Sequence, residues 1–257
     1  MTAAAGAATD LSPAPGRTPY PRMVTAQARA ELVLTLRRGE SLLLTLGIPL
    51  GLLLFFTRVD VLPASAGRAV DFLVPGVLAL GVVSTAFTGL AIATAYERSY
   101  GMLKRLGATP LPRWGLLAGK VLAVAAVELL QLALIMALGL ALGWSAHGSP
   151  LAVVLLVVLG TAACAGLGLL MAGALRAEVT LAAANGLYLV LLLLGNVAFA
   201  LTGTLEAVGR ALPLGALAHG LRAVLRDGAG LPARDCGVLL AWAVVTLALA
   251  ARTFRWE

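Results

Sequence analysis

The sequence predicts an all-α polytopic membrane protein: six transmembrane helices, an N-terminal interfacial helix and a short cytoplasmic helix. Three observations predict it. Sixty per cent of the 257 residues are apolar and only 12% are charged, whereas soluble domains run at about 45–50% and about 25%. Mean hydropathy is +0.97, so there is too little polar surface to cover a water-soluble globule. The apolar residues also fall into runs near the ~20 residues that a helical span needs, with none of the strand alternation of an outer-membrane barrel. Backbone groups in lipid must be satisfied internally, which makes such runs helices. The same composition excludes a disordered regulator, a class poor in apolar residues and rich in charge.

In chain order, residues 1–21 are rich in Ala, Pro and Thr, lack the apolar core of a secretory signal and read as a disordered tail. Residues 22–40 read as a basic interfacial helix. Val24, Ala28, Leu32 and Leu36 make its apolar stripe, and Val33 and Leu34 fall outside the stripe. Spans are expected over about 41–57 (interrupted by Pro49), 72–96, 116–142, 151–175, 181–201 and 236–251. The segment 97–114 between the second and third spans is the most charged stretch of the core. The long segment 202–234 is rich in Gly and less apolar. Its Leu and Ala content fits helices dipping partway into the bilayer. Everything from residue 22 onward is one transmembrane domain.

Charge sets the expected orientation. With the N-terminus inside, only six of the 19 Lys and Arg residues fall outside: Arg58, Arg68, Arg210, Arg222, Arg226 and Arg234. Basic residues collect on the cytoplasmic side, so both termini are expected there. The net charge of +7 is spread beside apolar runs rather than over one soluble face. It therefore argues for membrane topology and against a nucleic-acid partner.

Within 97–114, Met102, Leu103 and Leu106 flank Lys104 and Arg105, the pattern of a short amphipathic helix. Thr109-Pro110 ends that helix, because a residue before proline is pushed out of helical geometry. Pro112-Arg113-Trp114 restarts the chain, with Trp114 at the interface. Such a helix suits transfer of force from a soluble partner into the bundle. An ordinary cytoplasmic loop that collects Lys and Arg has the same composition.

This run resembles the cytoplasmic loop of type-2 ATP-binding-cassette exporter permeases. The resemblance rests on Glu97, Arg98, Gly101, Leu103, Lys104, Arg105, Thr109, Pro110, Arg113, Trp114, Gly119 and Lys120. The six-span plan, the basic N-terminal helix and the long segment before the last span are similar too. Within that family the nearest likeness is to drug-export permeases of the daunorubicin-resistance type. The resemblance implies a coupling segment, with Glu97, Arg98, Gly101, Leu103, Lys104, Arg105, Leu106, Thr109, Pro110 and Arg113 docking on a separate nucleotide-binding ATPase subunit. It further implies a second permease subunit, identical or related, and amphiphilic substrates such as drugs or lipids moved out across the cytoplasmic membrane.

The chain carries no P-loop. Gly119-Lys120 is followed by Val121 and preceded by Trp114 where the motif needs a hydroxyl residue and a glycine, so ATP hydrolysis falls to a partner. No cofactor, metal or catalytic set is expected. Cys164, Cys236, His147 and His219 lack neighbours at ligand spacing. Glu128 lies inside the third span with Gln131 on the same face, three residues on. An acid in the bilayer faces protein or water, so the pair either lines the substrate path or makes an interhelical hydrogen bond. Gly47/Gly51, Gly115/Gly119 and Gly139/Gly143 have the spacing that permits close helix approach. Two rival readings are a secondary transporter, which usually shows internal repeats and midplane ion ligands, and a membrane assembly protein that transports nothing.

Overall fold

The computed structural model describes residues 19–37, 39–59, 68–102, 112–197 and 202–253. Among these, all regular structure is helical. In order, α1 is Tyr20–Arg37, α2 Gly39–Arg58 and α3 Ala69–Val82, which runs through a π-helical segment, Val83–Gly89, into α4, Leu90–Ser99. Then follow α5, Arg113–Ala141; α6, Pro150–Ala174; α7, Ala177–Leu194; α8, Thr204–Ala211; α9, Pro213–Leu225; and α10, Ala233–Thr253.

Five of the described stretches are long and apolar enough to cross a membrane: Ala69–Ser99, Trp114–Ala141, Pro150–Ala174, Ala177–Leu194 and Ala233–Thr253. The expected first span is α2, a helix of 20 residues with Pro49 inside it. The part of it from Thr45 to Arg58 is apolar and is not counted among these five. The described spanning helices therefore number five where the sequence reading expected six.

The stretch Ala69–Ser99 is the axis of the bundle. Almost every residue of α3 is buried, and α2, α5, α6, α7 and α9 gather around it and its π-helical continuation. One continuous core runs through Leu73, Leu80, Phe87, Ile135, Leu156 and Leu217. The outer helices turn bare apolar side chains outward. Leu129, Leu151 and Val244 are all more than half exposed, as lipid-facing residues are in a membrane bundle.

The two ends of the bundle are closed differently. At one end lie the last turn of α4, the start of α5, the α6–α7 turn and α1, which packs along α5. Tyr20 lies against Trp114, with ring centroids 5.7 Å apart. A Cβ on Gly119 would meet the Gln27 side chain at 2.8 Å, so α1 sits close against α5 there. At the other end, α8 and α9 fold back into the bundle. The turn between them brings the backbone of Gly215 against the carbonyl of Gly209, leaving no room for a side chain. Leu214, Leu217 and Leu221 of α9 are fully buried. The segment 202–234 is thus a pair of helices, the second of them packed in the core.

Candidate functional site

At the first of these ends, three helices meet on one cation. Lys120 of α5 bonds Glu31 of α1 at 2.8 Å and forms a short ion pair with Glu97 of α4. Gln27 donates to the same Glu31 at 2.9 Å. Lys120 and Glu97 are both buried, so each depends on its partner for the solvation it has lost. Beside them Arg98 points the other way. It donates to the carbonyl of Gly173 at 2.7 Å and to that of Leu175. Those carbonyls belong to the end of α6, where a helix runs out of its own donors and a basic side chain is favoured.

A cavity of about 650 Å³ adjoins this charged cluster. Glu31, Glu97 and Lys120 are part of its lining. Its walls come from α1, α2, the π segment, α4, α5 and α7. Ile48, Ile92, Val124 and Val127 supply apolar surface. The polar surface is mostly hydroxyl: Ser84, Thr85 and Thr88 from the π segment, Thr94 from α4 and Tyr188 from α7, with Asn185 adding an amide. The π segment widens the helix locally, a feature common at functional sites, and three of its seven residues bring hydroxyls to the cavity wall.

Of the residues singled out in the sequence for coupling, Glu97 lines this cavity and Arg98, next to it, turns to the end of α6. Gly101 lies just beyond, at φ +69°, in the left-handed region that glycine adopts without strain. Leu103, Lys104, Arg105, Leu106, Thr109 and Pro110 lie outside the described residues, as does the short helix expected around them. Arg113 opens α5.

Glu128 and Gln131 are both buried and both bond across helices. The Thr161 hydroxyl of α6 lies 2.6 Å from a Glu128 oxygen. Gln131 accepts from Thr85 at 2.6 Å and donates to the carbonyl of Thr45 at 2.8 Å. Gln131 thereby fixes the wall of the cavity through Thr85, while Glu128 faces α6.

Sequence reasoning missed the role of Lys120, noted as part of the family resemblance and beside a false phosphate motif but not as a partner of Glu97. It also counted Arg222 as a loop charge. Arg222 is buried under the far end of the bundle, where it donates to the carbonyls of Phe72 (3.2 Å), Val197 (3.3 Å) and Asn196 and lies 3.9 Å from the Phe72 ring centroid. Burial, with Arg226 adding to it and Asp227 opposing, pulls its pKa down to about 9, so it stays charged at neutral pH. His219 is likewise engaged, 2.9 Å from Asp235 of α10. Among the described residues, no cluster of His, Cys, Asp and Glu is arranged to hold a metal.

Comparison with known proteins adds the family. A search of curated proteins returns no match. A family model described as ABC-2 family transporter protein matches residues 46–252. That stretch takes in most of α2, nearly all of the five long apolar helices and the pair α8–α9. Its members are membrane subunits of ATP-binding-cassette transporters and work in general with a separate ATPase subunit. With most of its length matched, this chain belongs to the ABC-2 family of transporter proteins.

Proposed function

We propose that the chain is the permease subunit of an ATP-driven exporter, of the drug-export kind, set in the cytoplasmic membrane with both termini inside. A second permease subunit, identical or related, completes the path, and an ATPase subunit docks on residues 97–114. The observation that carries this reading is the position of Glu97. It opens the segment expected to meet the ATPase, and it is bound to Lys120 in the lining of the cavity. Movement of 97–114 therefore acts on the cavity with no intermediate part. ATP binding draws the ATPases together, pulls on Glu97 and Arg98, and shifts the bundle from one access state to the other. The shift is as large as the difference in nucleotide affinity between the two states. Amphiphilic substrates, drugs or lipids, enter the cavity from the membrane or the cytoplasm.

The test has two arms. Co-purification with the cognate ATPase subunit is expected for the wild-type chain and is expected to fail when residues 103–110 are replaced by a Gly-Ser linker. Single cysteines at Tyr100 and at Ser145 are expected to label from opposite faces in intact cells, Tyr100 from the cytoplasm only. Labelling of Tyr100 from outside overturns the orientation, and ATPase binding without 103–110 overturns the docking site.

A further inference from the structure

We propose that the cavity binds an amphiphile whose head is uncharged and rich in hydroxyl groups, with a sugar-like head on an apolar chain as the fitting class. The inference rests on reading the cavity as the permease's substrate site, and it names the substrate chemistry. Four observations carry it.

The volume of about 650 Å³ suits a small amphiphile. The charged residues of its lining are bound to one another, with Lys120 between Glu31 and Glu97. The rest of the polar lining, Ser84, Thr88, Thr94, Asn185 and Tyr188 among it, is uncharged. A charged head lodged against those residues would lose its water and gain no opposite charge from them, which is strongly unfavourable.

Two of the lining hydroxyls have no partner. The oxygens of Thr88 and Thr94 are buried and unbonded among the described residues, and Thr94 is 0% exposed. A threonine in a helix ordinarily bonds the carbonyl a turn back, as Thr57, Thr161, Thr180 and Thr246 do here. Thr88 and Thr94 do not, and both line the cavity. Buried hydroxyls left unpaired are costly, and a ligand carrying donors and acceptors removes that cost. The apolar surface of Ile48, Ile92, Val124 and Val127 receives the chain. Glu128, the acid for which the sequence left open a place on the substrate path, is held by Thr161 and is not part of this lining.

The experiment uses the full chain in phosphatidylcholine nanodiscs and radiolabelled n-dodecyl-β-D-maltoside below its micelle concentration, with empty discs subtracted. Saturable binding is expected. Unlabelled maltoside should displace it, while dodecyltrimethylammonium and dodecyl sulfate at the same concentration should not. Thr94→Val, which keeps the shape and removes the hydroxyl, should weaken binding about three- to tenfold, the range of one or more neutral hydrogen bonds. Thr94→Ser should retain it, and Thr88→Val should behave as Thr94→Val does. Absence of saturable binding, displacement by either charged head, or wild-type affinity in Thr94→Val overturns the proposal. ATPase co-purification is measured on the same preparations. An intact complex without maltoside binding sinks the substrate class alone, and a lost complex with binding retained sinks the permease reading alone.

Discussion

Gln131 donates its side-chain amide to the main-chain carbonyl of Thr45 at 2.8 Å, four residues before Pro49 in the same helix. In an unbroken helix that carbonyl would accept from the N–H of residue 49, and proline has none. The amide of α5 thus stands in for a missing backbone donor in α2, while its oxygen accepts from Thr85.

This substitution of one donor for another sets up a double-mutant cycle. Gln131→Leu should destabilise the protein by about 1 kcal/mol, the usual scale of one such bond. In a Pro49→Ala background, where the helix supplies its own donor, the same change should cost measurably less. Thermal unfolding of the four proteins in detergent reads the coupling. Equal losses in both backgrounds would show that Gln131 and Pro49 act independently.

Lys120→Met should be the most damaging change in this cluster. It leaves buried Glu97 and half-buried Glu31 without the cation they share, and breaking a buried pair this way costs about 3–5 kcal/mol. Glu97→Gln should cost less, because Lys120 keeps Glu31. The order of melting temperatures, wild type above Glu97→Gln above Lys120→Met, is the expected readout.

Arg222→Lys should also destabilise, by about 1–3 kcal/mol. An ammonium carries the charge but lacks the planar fork that reaches several carbonyls while lying near the Phe72 ring. Protease sensitivity of the segment 202–234 should rise with it, since Arg222 ties α9 to the start of α3.

The glycines separate internal packing from a surface left for a second subunit. Gly166 has Thr246 and the backbone of Leu247 where its side chain would be. Gly166→Ala should therefore push α6 and α10 apart and lower the melting temperature. Gly47 and Gly51 have open space around them. Gly47→Leu should leave the melting temperature of the monomer unchanged within about 0.5 kcal/mol. If the permease pairs through α2, the same substitution should abolish crosslinking between copies.

Much of the helical plan was legible in the sequence because apolar run length alone decides it. The starts of the later helices fall within a few residues of expectation for that reason. Glu97 and Arg98 were legible as a charged pair, but not their opposite destinations, since those depend on helices distant in sequence. Arg222 misled for a related cause: a count of basic residues per face treats every arginine as solvated, and this one is buried among carbonyls. The unpartnered threonines were invisible, because helix periodicity carries no sign of a π segment.

That π segment sets an azimuth. Lys120 and Gln131 are eleven positions apart on α5, so an α-helix brings them to within ~20° of one another around its axis. Their partners, Glu97 and Thr85, are twelve positions apart, and an uninterrupted α-helix would leave them ~120° out of phase. The wider turn absorbs one residue and brings the two back into line. Deleting a single residue between 86 and 89 would leave Thr85 and Glu97 eleven positions apart, and an even winding would then keep Glu97 within ~20° of that line, whereas straightening the π segment into α-helix with every residue kept would swing it by ~100°, away from its ammonium. The direction in which the acid at the membrane exit points is decided a dozen residues upstream, by a miscount in the helix.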